Sequence, residues 1–370
     1  MQTNLFGEIE HNILTVEGTA AKVGVSSATV RNWIKTGYLN TSSNGKILST
    51  SVDFFISEIA GKNKLNARAN KLQKDEHDHD LLSKQIENEL NTEHFDDSVG
   101  QKYESSLSES FRNKEGIYYT PAKIVTDMML SISDVENKTF LDPCCGGGNF
   151  IMQAVTIGFK PENVYGFDTD INAVEITKKR ILDKTGCKTN NIIHSDFFKF
   201  TKEDTGRFDY IFTNPPWGKK LPKEEREKYA IIYHSGKSID TCSLFFFACL
   251  NKLNVTGKLG FLLPEAFFNI STFEDARKRA LELQIERLID YGKPFKGLLT
   301  RAQAIILKNE KSLADETVDC ESENLKFSRD LESFRKTPKH IFNLWAKSEV
   351  AEVIDHVFSV PHITLQGNAV

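Results

Sequence analysis

Hydrophobic positions along the chain fall into two recurring patterns. Short apolar runs closed by turn residues predict strands, and longer stretches with apolar residues at helical spacing predict helices. The run Phe208-Asp-Tyr-Ile-Phe-Thr213 carries four apolar or aromatic residues, which suits a parallel strand buried on both faces. Thr139–Asp142, Val164–Asp168, Asn191–Phe197, Leu259–Pro264, Ile285–Asp290 and Ala304–Leu307 predict further strands. Helical patterns cover Ala122–Ile132, Leu244–Leu253 and Ala346–Val357. Strands interleaved with helices define an α/β chain. Two stretches break the pattern. Gly218–Ser238 is charged without clean periodicity and reads as a mobile loop, and Lys308–Ser328 is polar and reads as a loop.

The amino-terminal stretch has a different pattern. Thr15 can cap a helix over Val16–Val23, Gly24 supplies a turn, and Ser26 or Ser27 can cap a second helix, Ala28–Lys35, closed by Gly37. Ala20, Val25, Val30, Trp33 and Ile34 supply a small core. Helix, short turn, helix is the helix-turn-helix pattern. Thr15–Leu39 resembles the winged modules of the excisionase and MerR type, with Ser42–Ser51 as the wing and Val52–Ile59 as a closing helix. The second helix of such a module enters the major groove, which puts Ser27, Thr29, Arg31, Asn32 and Lys35 toward DNA. The other reading of this stretch is a small helical bundle used for protein contact.

Gly61–Asn70 is polar and basic, as a linker would be, and Leu72–Ser110 places leucines at helical spacing opposite an acidic face. His77 and His79 stand among Asp75, Asp78 and Asp80. This charge run reads as solvated, so no metal is expected.

Composition narrows the class. A hydrophobic content of 39% supports a globular core, and a net charge of −4 rules out a uniformly basic nucleic-acid binder. Any such contact must use local patches. Six cysteines form no Cys-x-x-Cys pair, and no signal peptide is visible, which fits a reducing, cytoplasmic setting. No apolar run approaches the roughly 20 residues of a membrane span.

The candidate chemistry lies at the ends of the predicted strands. After Thr213 comes Asn214-Pro215-Pro216-Trp217. Proline cannot donate to a sheet ladder, so the strand ends there. That leaves an asparagine at the carboxyl end of a strand, where open α/β sheets bind ligands. The stiff turn offers the Asn214 oxygen and a nearby backbone carbonyl as acceptors, with the aromatic Trp217 beside them. Two acceptors and a stacking face suit an exocyclic amino group on a planar base. Upstream, Asp142-Pro143-x-Cys145-Gly146-x-Gly148 follows a strand. It is neither the Gly-x-Gly-x-x-Gly fingerprint nor a P-loop, and it resembles the loop of S-adenosylmethionine sites. Asp168 ends the next strand, where an acid can accept ribose hydroxyls. Asp196 and Phe197 follow the third, where they can meet an adenine amino group and ring. Thr120 and Pro121 precede a helix whose free N–H groups can face a carboxylate. Phe295 is either a second wall of the base pocket or core.

Taken in order, these motifs resemble the gamma-class adenine-N6 DNA methyltransferases of restriction-modification systems, especially type I and type IIG methylase cores. Asp97-x-Val-Gly-x-x-Tyr103-Glu104 belongs to the same likeness, which covers roughly residues 97–310. The resemblance implies S-adenosylmethionine as cofactor and a Rossmann-like, seven-stranded mixed sheet with helices on both faces. It implies that Thr120, Pro121, Asp142, Pro143, Cys145, Gly146, Asp168, Asp196 and Phe197 hold the cofactor. Asn214, Pro215, Pro216 and Trp217 would act on an adenine flipped out of double-stranded DNA, with Phe295 as a further wall. The expected divisions are a winged helix-turn-helix at 1–62, a helical linker at 63–112, a catalytic domain at 113–310 and a carboxyl-terminal segment at 311–370. His362–Ala369 resembles the lead-in to a target-recognition region. A specificity subunit or recognition domain, and a restriction endonuclease, are therefore expected partners. Cytosine-N4 or protein-glutamine methylation, and a non-catalytic regulator on this scaffold, are the competing readings.

Overall fold

The computed structural model describes residues 13–23, 25–35, 38–41, 46–56, 98–107, 116, 118–200, 206–295, 298–313 and 315–360, together with Ile86 and Leu90. The chain forms two compact units, Met1–Asp78 and His79–Val370.

In the first unit, β1 (Ile13–Leu14) pairs antiparallel with β2 (Ile47–Leu48). Helices span Val16–Val23, Ser27–Lys35 and Ser49–Phe54. Both expected caps form. Thr15 Oγ1 accepts from Gly18 N at 3.0 Å, and Ser26 Oγ accepts from Thr29 N at 3.2 Å, so Ser26 rather than Ser27 is the cap. Ala20, Val30, Trp33, Leu39, Ile47, Val52 and Phe55 build the core, with Trp33 against Phe55 at 4.4 Å. Val25 and Ile34 pack at its edge. The closing helix starts at Ser49, inside the stretch expected as a wing. Ser42–Gly45 and Ser57–Ile59 lie outside the described residues.

The second unit is built on one nine-stranded sheet. Its strands are β3 (Phe140–Asp142), β4 (Val164–Asp168), β5 (Ile192–His194), β6 (Phe208–Thr213), β7 (Leu253–Pro264), β8 (Leu283–Asp290), β9 (Ala302–Lys311), β10 (Thr317–Ser322) and β11 (Lys326–Asp330). Their spatial order is β11-β10-β8-β9-β7-β6-β3-β4-β5. All pairs from β5 to β7 are parallel, and β9 runs antiparallel to both β7 and β8. Every residue of β3 is buried, and so are all residues of β6 but Asp209. Parallel strands in that state have both faces covered. The chain leaves β3 toward β4 and β5, then returns to β6 on the other side of β3. Strand order reverses there, and the crevice at the carboxyl ends of β3 and β6 is where such sheets bind ligands.

The sheet has two more strands than the seven expected: β10 falls inside Lys308–Ser328, the stretch read as a loop, and β11 begins inside it and runs on to Asp330. Val318 and Cys320 are fully buried at alternate positions of β10, a period-2 signal set among polar neighbours. β10 pairs parallel with β8, and Arg287 Nε meets Glu321 Oε1 at 2.8 Å across that pair. The expected mobile loop Gly218–Ser238 contains a helix, Lys223–Tyr233. Tyr229 and Tyr233 are buried one turn apart and pack on Phe198 at 4.6 and 5.9 Å. The apolar helix extends over Thr241–Lys252, capped by Asp240 accepting from Cys242 N at 2.9 Å. The helix expected to reach Ile132 stops at Met128. Of the acidic helical stretch at 72–110, the structure describes one helix, Val99–Ser106. His77 and His79 lie outside the described residues, and among the described ones no cluster of His, Cys, Asp or Glu could hold a metal. No described helix is long and apolar enough to cross a membrane.

One cation fixes the segment after the sheet. The Arg277 side chain is fully buried and donates to four carbonyls, those of Phe267, Ile270, Lys339 and His340, at 2.6–2.9 Å. Burial lowers its pKa to about 10, which leaves it charged at neutral pH. Arg277→Met should lower unfolding stability by about 2–4 kcal/mol, because it strands buried carbonyls. A chemical denaturation midpoint unchanged from wild type would refute this role.

Candidate active site

A cavity of about 420 Å³ lies at the carboxyl ends of β3 to β6, within the size range of small-molecule and cofactor sites. Three acids mark it. Asp142 ends β3, Asp168 ends β4, and Asp196 follows β5. The glycine loop after β3 is tied to β4 through Cys145 N donating to Phe167 O at 2.9 Å. Gly148 has φ +87, and a Cβ there would meet the Thr177 side chain at 2.7 Å. Only glycine therefore lets the loop turn into the helix Asn149–Ile157.

The acids are held, not free. Asp142 Oδ1 accepts from Thr213 Oγ1 at 2.7 Å and from Cys144 N at 3.1 Å. Burial pushes its pKa up to about 7, against the pull of these two bonds. Asp168 accepts from Gly146 N at 2.8 Å and Asp170 N at 2.9 Å. Burial raises its pKa too, with the backbone bonds and Lys219 opposing. Asp196 Oδ1 accepts from Phe198 N at 2.9 Å, which leaves Oδ2 toward other partners. Phe197 is buried and stacks on Phe245 at 6.2 Å, and both line the cavity.

Asn214 is the most constrained group in the site. Its Nδ2 donates to Tyr118 O and to Thr120 Oγ1, each at 3.1 Å. A carbonyl can only accept, so the amide orientation is fixed with Nδ2 toward Tyr118. Oδ1 is buried and has no hydrogen-bond partner, although Asn214 lines the cavity. An orphaned buried acceptor is costly, about 1–3 kcal/mol, unless a ligand satisfies it.

The structure brings most expected residues together. Thr120, Pro143, Cys145, Gly146 and Pro216 line the cavity with the acids and Asn214, whereas Pro121, Pro215, Trp217 and Phe295 are not on its wall. Trp217 and Phe295 are each 6% exposed and meet edge to face at 5.2 Å. The expected stacking face of Trp217 is therefore core, held further by Nε1 donating to Leu262 O at 3.4 Å. Of the three packed rings Trp217, Phe295 and Tyr118, it is Tyr118 that lies on the cavity wall. It bridges the pair, 6.1 Å from Trp217 and 5.7 Å from Phe295. Thr120 does not cap the next helix, whose cap position is Pro121.

The helix Val99–Ser106 forms a further wall of the cavity, through Gly100, Tyr103 and Glu104. Tyr103 Oη donates to Asp170 Oδ2 at 2.6 Å, and Glu104 Oε1 accepts from Tyr119 N. Gly100 approaches Gly147 so closely that a Cβ on Gly147 would lie 3.0 Å from Gly100 Cα. The signal was present in the Tyr103-Glu104 likeness, but nothing in one sequence says that this helix folds over the glycine loop.

Fold and site define a class, the S-adenosylmethionine-dependent methyltransferases. The acids at successive strand ends, the glycine loop and the cavity fit that cofactor. Residues 94–346 match the family described as N-6 DNA Methylase, and the chain belongs to that family. It is 45% identical over 370 residues to the Type II methyltransferase M.VspI of Vibrio sp. (strain 343), covering all of this chain and 91% of that one. It is 25% identical over 217 residues to the Modification methylase CviBIII of Paramecium bursaria Chlorella virus NC1A, covering 57% of this chain and 54% of that protein. A type I restriction-modification system methyltransferase subunit from Streptococcus thermophilus superposes with a TM-score of 0.48 at 18% identity, over 72% of this chain and 58% of that one. The protein is an adenine-specific DNA methyltransferase that uses S-adenosylmethionine. The cytosine, protein-glutamine and scaffold readings are not favoured.

Two consequences can be measured on the free protein. Asp142 has a folded pKa above its unfolded value, so its contribution to stability is fully present below about pH 4 and is lost as pH rises toward 7. Asp142→Asn should flatten that part of the stability-pH profile and raise stability at pH 8. An unchanged slope between pH 4 and 7 would refute the assignment. Gly116 has φ +71, and a Cβ there would lie 2.7 Å from Trp217 N and O. Gly116→Ala should therefore cost about 1–3 kcal/mol in thermal or denaturant unfolding.

Proposed function

We propose that Asn214 Oδ1 and a carbonyl of the Pro215–Pro216 turn accept the two N6–H bonds of an adenine flipped out of double-stranded DNA. The observation carrying this is the buried, unpartnered Oδ1 on an amide whose nitrogen is already committed. Adenine N6 is a poor nucleophile because its lone pair is delocalised into the ring. Acceptors placed out of the ring plane favour a pyramidal nitrogen with a localised pair. No strong base is then needed, and preorganised acceptors supply the acceleration.

Asp142, Asp168 and Asp196, with Thr120, Pro143, Cys145, Gly146 and Phe197, are the residues that would hold S-adenosylmethionine. That group supplies an electrophilic methyl when bound. The buried carboxyl of Asp142 and the half-buried one of Asp168, both with raised pKa values, favour a cationic ligand.

A duplex hides N6 chemistry, so the base must leave the stack at a cost of a few kcal/mol. Stacking on an aromatic returns about 1–3 kcal/mol. Tyr118 is placed to be that ring, with Trp217 and Phe295 as its rigid backing.

The amino-terminal unit fits a helix-turn-helix role. Ser27, Arg31 and Lys35 fall at helical i, i+4 spacing on Ser27–Lys35. Arg31 makes an exposed pair with Glu17 at 3.4 Å, weak enough for a phosphate to displace. Thr29 serves the cap instead, sharing a hydrogen bond with Ser26 at 2.8 Å. The Asn32 side chain and His362–Ala369 lie outside the described residues. A specificity subunit or recognition region, and a restriction endonuclease, are the partners this reading expects.

Asn214→Ala should abolish methyl transfer to mixed-sequence duplex DNA while calorimetry still shows S-adenosylmethionine binding, and retained transfer would sink the role. The wild-type product nucleoside should be N6-methyladenine. Recovery of N4-methylcytosine instead would move the amino-group assignment to cytosine.

A further inference from the structure

The orientation of the Asn214 amide depends on more than its neighbours. Thr120 gives Asn214 an acceptor through its hydroxyl, at 3.1 Å from Nδ2. The carbonyl of the same residue accepts from Asn149 Nδ2 at 2.7 Å. Asn149 Oδ1 in turn accepts from Arg180 Nη1 at 3.0 Å, and that same Nη1 also donates to the carbonyl of Gly147 in the glycine loop. Arg180 is 6% exposed, so this charge acts where water does not screen it.

The links from Arg180 to Asn149 and from Asn149 to the Thr120 carbonyl each have one possible direction, and the Tyr118 carbonyl makes Asn214 the donor in the last. A guanidinium only donates and a backbone carbonyl only accepts. Asn149 must therefore turn its oxygen to Arg180 and its nitrogen to Thr120. With the Thr120 backbone pinned, its hydroxyl stands where the second N–H of Asn214 needs an acceptor. Without that hydroxyl, one N–H of Asn214 is left unsatisfied in a buried setting. The amide then has less reason to keep Oδ1 toward the cavity.

We infer that Thr120 and Asn149 are positioning residues: the relay Arg180–Asn149–Thr120–Asn214, acting with the Tyr118 carbonyl, holds Asn214 Oδ1 toward the target amine and ties that orientation to the glycine loop. This rests on the assignment of Asn214 to the target amine. It predicts coupling between the two halves of the site, because the loop that would hold the cofactor and the amide that would hold the base share one hydrogen-bonded brace.

The test uses the full chain with S-adenosylmethionine and duplex DNA. Thr120→Val keeps the shape and removes the hydroxyl, Thr120→Ser keeps the hydroxyl, and Asn149→Asp replaces the donor facing Thr120 O with an acceptor. Single-turnover methyl transfer with both ligands saturating should fall by about tenfold to hundredfold in Thr120→Val and Asn149→Asp. Thr120→Ser should recover most of the rate, and the loss in Thr120→Val and Asn149→Asp should persist with S-adenosylmethionine saturating, which puts it in methyl transfer and not in cofactor occupancy. Wild-type rates in Thr120→Val and Asn149→Asp, with Asn214→Ala inactive, would overturn the relay and leave the amine assignment standing. An active Asn214→Ala would overturn that assignment itself. A loss of rate, cofactor affinity and melting temperature together in both variants, without recovery in Thr120→Ser, would reduce the chain of bonds to a packing role. If Thr120→Val fails to fold, Asn149→Asp carries the same readouts.

Discussion

The return of the chain to β6 beside β3 is the constraint on which the site depends. Two strands, β4 and β5, run outward from β3 before the path reverses, and β6 fills the free side of β3. The reversal opens a crevice at the carboxyl ends of two parallel strands, because neighbouring loops there leave in opposite directions. Thr213 and Asp142 then sit across one strand pair, joined at 2.7 Å. That bond links the strand carrying Asn214 to the strand carrying the glycine loop. The proline pair stops β6 at the point where its next residue reaches the cavity.

Burial gives the cavity its chemical character. Desolvation raises the pKa values of Asp142 and Asp168, and it holds the thiols of the nearby Cys144, Cys145 and Cys249 protonated. The backbone N–H groups that hold the two carboxylates stabilise their charged forms only in part. A positively charged ligand is the natural complement to such a site, and a sulfonium cofactor is one. The same low dielectric makes the orphaned oxygen of Asn214 costly in the free protein and useful once an amine arrives.

The aromatic cluster illustrates how packing reassigns a residue. Trp217 follows the prolines directly, so by sequence position it stands beside the base. Its bulk is better accommodated against Phe295, Leu262 and the backbone of Gly116, where a side chain on residue 116 would collide. Tyr118 is half-buried on the cavity wall, and its backbone carbonyl accepts from Asn214 Nδ2. The family likeness located the pocket, and side-chain packing chose the ring that faces it.

Much of this protein was legible in the amino-acid order. Buried parallel strands read as apolar runs, and two prolines force a strand to end, so β6 and Asn214 were visible without coordinates. Asp142, Asp168 and Asp196 each followed a strand pattern, and local turn chemistry marked the glycine loop and the cap at Thr15 while leaving the second cap between Ser26 and Ser27. What the order of residues did not determine was side-chain contact across long separations. β10 hid among polar residues because only one face of a strand near a sheet edge needs to be apolar. Tyr229 and Tyr233 carried too little periodicity to reveal a helix until Phe198 was placed against them. The relay from Arg180 to Asn214 joins four segments far apart in sequence, each ordinary on its own. Hydrogen-bond direction becomes a constraint only when donors and acceptors are buried together, and that is a property of the folded chain alone.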